Sequence, residues 1–156
     1  LQKATELMHY VLIHFYDSRS GMFFLKSDLD EQLIVRSMDS SDNVIPAANS
    51  CMANNLLTLG KITDNREWEQ MAQTMLNNVL DDVIKNGAYY SNWANLLYRI
   101  LHQNTEIIVI GEQAKQIIKD IQRHYLPDCL ILGSEKESEL LHFKDRYVAG
   151  KTLSYV

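Results

Sequence analysis

Five polar residues between positions 36 and 50 have the chemical types needed to bind or process a ligand. A guanidinium, two carboxylates, an amide and a hydroxyl come from Arg36, Asp39, Asp42, Asn49 and Ser50. Pro46 suits the first turn of a helix, so these groups gather beside a helix N-terminus, which favours anionic or hydroxyl-rich ligands. Sugar hydroxyls suit such donors and acceptors. We therefore predict a ligand-binding site at these five residues.

The same residues also have a purely structural interpretation. Asp42 or Asn43 could cap the helix, while Asn49 and Ser50 satisfy buried backbone groups in its first turn. A catalytic role would need Asp39 and Asp42 to act as an acid and base pair, and glycoside hydrolysis uses two carboxylates roughly 5 to 9 Å apart. A spacing of three residues in a loop fixes no such distance. The catalytic residues therefore stay unassigned, and both interpretations stay open.

Aromatic side chains form a second candidate surface. Tyr89 and Tyr90, with Trp93 close behind, could offer a platform for a sugar or peptide ring. Because they lead into a helix that is apolar over much of its girth, they could equally belong to the hydrophobic core. We predict Tyr89 and Tyr90 as ligand-binding residues and keep the core interpretation beside that prediction.

Cysteine and histidine spacing predicts neither a metal site nor a cofactor. His9 and His14 are five positions apart, so they do not form a metal-binding i, i+4 pair. Cys51 and Cys129 lie in no CxxC motif and have apolar neighbours, which predicts buried free thiols and, with them, a reducing, cytoplasmic location. The turn at 111–113 lacks the glycine patterns that bind phosphate.

Composition excludes several classes of partner. The chain has 156 residues, 46% of them hydrophobic, and 15 Lys+Arg against 20 Asp+Glu give a formal net charge of −5. A chain of this length buries roughly 68–70% of its unfolded surface, enough for a core without disulfides or a metal. The acidic balance argues against nucleic acid or an anionic membrane as the main partner. No apolar run approaches the ~20 residues of a membrane span.

The apolar spacing predicts a helical region up to residue 103 and a different class of structure after it. The predicted helices are residues 2–16, a segment from Pro46 to Gly60, a long stretch that Asp64 caps with Glu67 three residues on, and a run after Gly87. Two β-like runs, 22–25 and 33–35, predict a small hairpin or irregular excursion between the first two helices. The helices read as stacked αα-hairpins joined by short loops.

The region from 104 to 156 predicts a small α/β subdomain. A β-branched run at 107–110, an amphipathic stretch starting at Ala114 and a second apolar run at 130–133 indicate a βαβ unit with a buried parallel pair. Residues 151–156 read as the start of a third strand, and 134–150 as a connection or an exposed helix. We therefore predict domains at 1–103 and 104–156.

With the elements placed, the order and wording of several segments resemble a known family. The segments are Gly21-Met22-Phe23-Phe24, Arg36 with Asp42 and Pro46-Ala47-Ala48-Asn49-Ser50, Leu56-Leu57-Thr58-Leu59 leading to Thr63-Asp64-Asn65, and Glu106 to Gly111. Together they resemble the C-terminal region of the thioredoxin-domain-containing proteins related to spermatogenesis-associated protein 20 and to bacterial YyaL. Ser37-Met38-Asp39 departs from the family's Pro-Lys-Glu, which removes a lysine and a glutamate from the expected pocket.

The resemblance implies a parent with an N-terminal thioredoxin-like domain, an (α/α)6 toroid similar to six-hairpin glycosidases and N-acylglucosamine 2-epimerases, and a small α/β tail. This chain would then be a C-terminal fragment: αα-hairpins from an incomplete toroid followed by the βαβ unit. Leu1 opens directly into a helical pattern, which likewise predicts a piece of a longer protein. In such toroids the loops that lead into inner helices line a central pocket, so Arg36, Asp42 and Asn49 would be wall residues.

Two functional hypotheses follow. In the first, the toroid holds a carbohydrate-related pocket; in the second, it is a non-catalytic scaffold or partner-binding module for the thioredoxin-like domain. A pocket requires Arg36, Asp42 and Asn49 to converge on one cavity, whereas a scaffold lets them point into separate caps. In both, the partner is the rest of the parent chain, and an exposed apolar seam would also favour a homodimer.

Overall fold

The computed structural model describes residues 1–31, 35–102, 105–127 and 129–156, and these form two compact units. One unit combines residues 1–61 and 65–100, and the other combines 62–64 and 101–156. The first is helical and carries every candidate site residue, whereas the second is built on a three-stranded sheet. The chain is therefore mainly helical with a small sheet, as the sequence predicts.

The helical unit contains the four predicted helices. They are α1 (Gln2–Phe15), α2 (Ala48–Thr63), α3 (Arg66–Lys85) and α4 (Ser91–Leu101), with a 3₁₀ turn at Gly87–Tyr89 before α4. The apolar stripe predicted on α3 is confirmed, because Trp68, Met75 and Val79 on that helix are buried. Trp93 and Leu96 of α4 complete the core with no exposed surface. Of the helices described, none combines the length and the apolar character needed to cross a bilayer.

A short hairpin follows α1 and differs from the predicted one. β1 (Tyr16–Asp17) pairs antiparallel with β2 (Met22–Phe23), with Tyr16 opposite Phe23. Gly21 makes this turn possible, since its φ of 70° lies in the left-handed region and its N–H bonds to the Asp17 carbonyl at 2.8 Å. The predicted second β-like run at 33–35 falls largely on residues 33 and 34, which lie outside the described residues.

The junction between α2 and α3 corrects two sequence predictions. α2 continues past the buried Gly60 to Thr63, and Asp64, at φ 54°, takes the left-handed conformation that ends a helix. Because the chain turns at Asp64, the residue directly before the first turn of α3 is Asn65. Asn65 therefore caps α3, accepting from the Trp68 N–H at 3.2 Å, and the predicted Asp64 cap is wrong.

The second unit contains the predicted βαβ arrangement. It consists of β3 (Thr105–Ile110), α5 (Ala114–Ile121), β4 (Cys129–Ser134) and β5 (Leu153–Tyr155), in the strand order β4-β3-β5. β3 and β4 are parallel, with Thr105 opposite Cys129, whereas β5 runs antiparallel to β3. The connection between β4 and β5 forms turns, yet it buries Phe143 against Ile108 and Ile110.

The two cysteines are free thiols, but they are not both buried. Cys51 is exposed and Cys129 is partly buried. The prediction of burial is wrong for Cys51, because its apolar sequence neighbours turn toward the core while Cys51 itself lies on the outer surface of α2. A helix places consecutive residues on different faces, so apolar neighbours do not fix the burial of the residue between them.

A substitution at Gly111 tests how tightly the second unit is packed. The φ of Gly111 is 128°, and a Cβ at this position would lie 2.7 Å from the Thr152 Cα and closer still to the Lys151 carbonyl oxygen. We expect Gly111→Ala to destabilise the sheet by about 2–4 kcal/mol, because backbone strain and overpacking add. Amide hydrogen exchange of β3 measures this loss. Gly87→Ala is the control, since no atom lies within 4 Å of its added Cβ; equal protection in both variants would contradict the prediction.

Candidate functional site

Three polar residues of the helical unit, Asp42, Ser50 and Asn92, are joined by hydrogen bonds, and together with the neighbouring Asn49 we call them the polar clamp. At its centre the buried Asp42 carboxylate accepts hydrogen bonds on both oxygens. Oδ1 accepts from the Ala47 N–H at 2.9 Å and from the Ser50 hydroxyl at 2.6 Å, and Oδ2 accepts from the Asn92 N–H at 2.8 Å. One carboxylate therefore holds backbone from two distant parts of the chain.

The Asp42 contacts explain how the starts of two helices are fixed. Ala47 immediately precedes α2, and Asn92 is the second residue of α4, so both N–H groups belong to helix ends that lack intrahelical acceptors. A carboxylate suits both positions, because the helix dipole makes N-termini electropositive and charge strengthens the hydrogen bonds. The capping contacts predicted for Asp42 or Asn43 are made by Asp42, and they extend to a second helix.

Both the oxygen and the nitrogen of the Asn49 side-chain amide form hydrogen bonds with backbone groups. Asn49 is fully buried, and its Oδ1 accepts from the Phe23 N–H at 2.7 Å. Its Nδ2 donates to the Phe23 carbonyl at 2.9 Å and to the Asp39 carbonyl at 2.8 Å. The side chain thus satisfies both backbone groups of Phe23, as a neighbouring strand would. Asn49 joins α2 to the hairpin and to the segment that follows it.

The segment 39–42 is held at three of its residues. The Asp39 carbonyl is bound by Asn49, the Ser40 carbonyl accepts from the Trp93 indole at 2.7 Å, and the Asp42 side chain binds both helices. The Ser50 hydroxyl also accepts from the Asn92 side-chain amide at 2.9 Å. These contacts turn the predicted polar segment into an ordered connection.

Arg36 lies in a different cluster from the polar clamp. Its guanidinium stacks on the Phe24 ring at 4.0 Å, and its Nη2 donates to the His14 carbonyl at 3.4 Å and to the Lys26 carbonyl at 2.5 Å. Its Nε is buried without a hydrogen-bond partner among the described residues. Arg36 therefore fastens the chain after the hairpin onto the end of α1.

A histidine and aspartate pair completes the Arg36 cluster. The His14 Nδ1 lies 2.7 Å from an Asp28 carboxylate oxygen. This hydrogen bond holds the pKa of Asp28 below its ordinary value, and the charges of His14 and Arg36 add to the effect. Neither sequence spacing nor residue type predicts this pair, since 14 positions separate the two residues.

The predicted site residues therefore divide into separate groups. Asp42, Asn49 and Ser50 come together with the Asp39 backbone, while Arg36 belongs to the cluster at the end of α1. The polar groups of Asp42 and Asn49 face backbone atoms of the chain itself. The capping contacts are observed, and ligand binding by these residues stays a prediction.

The aromatic candidates also divide. Trp93 is core, with its indole N–H bound to the Ser40 carbonyl, and Tyr90 packs partly buried against the same core. Tyr89 is 60% exposed, in the turn before α4. The core interpretation therefore describes Tyr90 and Trp93, and Tyr89 alone presents most of its ring to solvent.

Sequence reasoning missed a polar network between α2 and α4. The Asn54 side chain donates to the Ser50 carbonyl at 3.0 Å and the Asn92 carbonyl at 3.2 Å. The Arg99 guanidinium donates to Asn54 Oδ1 at 2.9 Å and to Thr58 Oγ1 at 2.8 Å. Burial lowers the pKa of Arg99 from its ordinary value. Only the four-residue spacing of Asn54 and Thr58 on one helix face hints at this network.

Comparison with known proteins finds similar relatives in three mammals. Spermatogenesis-associated protein 20 from Rattus norvegicus, from Homo sapiens and from Mus musculus is 25% identical to the chain over 133 residues, which is 81% of the chain. The chain is similar to part of that protein. It spans 17% of the length of these relatives. No protein-family profile and no solved structure matches the chain.

The similarity to Spermatogenesis-associated protein 20 supports the family resemblance that the sequence motifs indicate. It does not depend on the site residues alone, since it extends over most of the chain. Within the described ranges, no group of three or more His, Cys, Asp or Glu side chains is arranged to hold a metal ion.

The Asp42 carboxylate is the first test of the polar clamp. Asp42→Asn preserves the shape but turns one oxygen into a donor that opposes either the Asn92 N–H or the Ala47 N–H. We expect a loss of about 2–4 kcal/mol in the free energy of unfolding, because a buried charge-assisted contact is replaced by two facing donors. Chemical denaturation followed by tryptophan fluorescence measures it, since Trp68 and Trp93 both lie in this unit. Asp39→Asn is the matched control, and an equal loss there would contradict the prediction.

Asn49 gives a second, independent test. Asn49→Asp replaces the Nδ2 donor by an oxygen that faces the carbonyls of Phe23 and Asp39. We expect a loss of about 3 kcal/mol or more at neutral pH, from a buried charge and two lost donors. Asn55→Asp, on an exposed position of the same helix, should change the free energy of unfolding by less than about 0.5 kcal/mol. Similar midpoints for both variants in urea would refute the role of Asn49.

Proposed function

We propose that the chain is the C-terminal part of a longer thioredoxin-domain-containing protein related to Spermatogenesis-associated protein 20, and that it is a non-catalytic scaffold within that protein. One observation carries the proposal: the polar groups best suited to a ligand, those of Asp42 and Asn49, bind the chain's own backbone. The similarity over 81% of the chain supports the family assignment.

The chemistry of Asp42 argues for a structural role. A general acid, a general base or a sugar-binding carboxylate must reach the substrate through a free oxygen. Both oxygens of Asp42 already accept hydrogen bonds, and only 3% of the residue is exposed. A ligand would have to break these contacts and leave helix N–H groups without acceptors, which costs about 1–3 kcal/mol for each buried group.

The proposed scaffold is a set of helical hairpins from an incomplete (α/α)6 toroid, spanning residues 1–103, with residues 104–156 as the α/β tail. The short connections support this arrangement, because only Asp64 and Asn65 separate α2 from α3. Its partners are the remaining hairpins and the thioredoxin-like domain of the parent. The free thiols of Cys51 and Cys129 support a reducing, cytoplasmic setting.

A saccharide titration tests the non-catalytic assignment. We expect 10 mM glucose, N-acetylglucosamine or N-acetylmannosamine to leave the free energy of unfolding of the chain unchanged. A site with a dissociation constant of about 1 mM would add about 1.4 kcal/mol at that concentration. Arg36→Met is the matched variant, because Arg36 is the candidate wall residue that lies outside the polar clamp. A saturable stabilisation that Arg36→Met abolishes would replace the scaffold by a saccharide pocket.

Association with the parent tests the scaffold role directly. The remaining residues of the parent polypeptide, expressed without this chain, should bind the chain when the two are mixed. Biolayer interferometry with the chain immobilised measures the affinity. Absence of binding, with both parts folded by circular dichroism, would contradict the scaffold proposal.

A further inference from the structure

An apolar groove runs along the outer side of the helical unit between α1 and α2. It has a volume of about 300 Å³, and its apolar lining comes from Ala4, Leu7, Met8, Val11, Met52 and Leu59. This volume is at the lower end of the range for ligand pockets, about 300–1,000 Å³, so it fits a few inserted side chains. Leu7, on its wall, is 53% exposed.

Arg99 does not itself line the groove, but it contacts the groove residue Thr58 and has no ion-pair partner among the described residues. Thr58 also lines the groove, and its hydroxyl accepts from the Arg99 Nη2 at 2.8 Å. The acceptors that hold Arg99 are the neutral Asn54 and Thr58, and no described carboxylate lies within ion-pair distance of it. A guanidinium has further N–H donors beyond the two used here, arranged to bind a carboxylate.

From these two features we infer that the groove is the docking site for an amphipathic α-helix from the rest of the parent polypeptide, which inserts apolar side chains and places an Asp or Glu against Arg99. The inference rests on the proposed function. Charge complementarity identifies the occupant: an arginine held by two neutral acceptors is already oriented, so an incoming carboxylate gains a charge-assisted contact at little entropic cost.

A helix suits the groove better than the alternatives. The walls are two helices, and a third helix can pack its ridge of side chains into the groove between them. The rest of the parent polypeptide can supply such a helix, because 17% of the length of the relatives matches this chain and the other 83% lies outside the matched region. A free small carboxylate would use Arg99 but leave the apolar wall uncovered. A second copy of the chain would cover the apolar wall of the groove, but it would do so without the parent polypeptide.

The experiment measures binding of the chain to the remaining parent polypeptide, expressed separately, for five variants, one of which is Arg99→Lys. Leu7→Asp places a charge in the groove wall, and Arg99→Met removes the cation while keeping an unbranched side chain. Ile84→Asp is the matched control for the first, since Ile84 is 72% exposed on α3, and Arg66→Met is the control for the second, as an exposed arginine. Circular dichroism and the urea midpoint check that each variant is folded.

We expect Leu7→Asp to weaken binding by about tenfold or more, as for a buried interface anchor. Arg99→Met should weaken it by about fivefold and flatten its dependence on KCl, because the charge pair is lost. Both control variants should bind within about twofold of the unchanged chain. Arg99→Lys should restore part of the salt dependence, since it returns the charge without the planar fork.

Other results would overturn the inference in distinguishable ways. If the unchanged chain does not bind the parent, the proposed function itself fails. If it binds and both Leu7→Asp and Arg99→Met bind equally well, the scaffold stands and the groove is not the docking site. A dimer in light scattering that Leu7→Asp abolishes would assign the groove to a second copy. Stabilisation by 50 mM acetate that Arg99→Met removes, with parent binding unaffected, would assign Arg99 to a small carboxylate.

Discussion

The helical unit depends on one buried carboxylate. Asp42 fixes the starts of α2 and α4 together, and Ser50 and Asn92 of the polar clamp donate directly to it. A buried charge without partners would be unfavourable by several kcal/mol, whereas three hydrogen bonds from helix-start groups offset its desolvation. The position of α4 against α2 is therefore specified by hydrogen-bond geometry as well as by apolar packing, which alone tolerates small shifts.

The polar clamp also explains how an irregular segment becomes part of the core. Residues 39–42 have no regular secondary structure, so their carbonyl groups need other partners. The Asn49 amide and the Trp93 indole supply them, each from a helix whose apolar face is buried nearby. Residues 39–42 are thus anchored to α2 and α4 by hydrogen bonds, although their sequence is polar.

Much of the fold follows from the sequence, because burying one face of a helix or strand imposes a regular spacing on its apolar residues. The apolar stripe of α3 has the spacing of a helix, and the β-branched run at 107–110 is typical of a buried strand. Both predictions are confirmed. Helix ends are less predictable, because neighbouring residues compete to cap. Asp64 and Asn65 are both good caps, and the left-handed conformation of Asp64 decides between them. Which strand pairs with β2 depends on the turn at Gly21. A turn has no apolar alternation from which the pairing could be predicted.

The candidate site is less predictable than the fold. Asp42, Asn49 and Ser50 could be grouped from the sequence because one helix start brings them together. Arg36 could not be separated from them, since its position depends on the hairpin and on the end of α1. Asn92 and Arg99 are distant in sequence and carry no motif, so their contacts with α2 appear only once the helices are packed.

The separation between Asp42 and Asn92 has a consequence for the order of folding. Fifty positions lie between the two residues, and the contact from Phe23 to Asn49 spans 26. During synthesis from the N-terminus, Asp42 leaves the ribosome well before α4, and a carboxylate without that partner keeps its water. The contact from Asp42 to the start of α4 therefore forms only after Asn92 has been synthesised, so the position of α4 against α2 is fixed late.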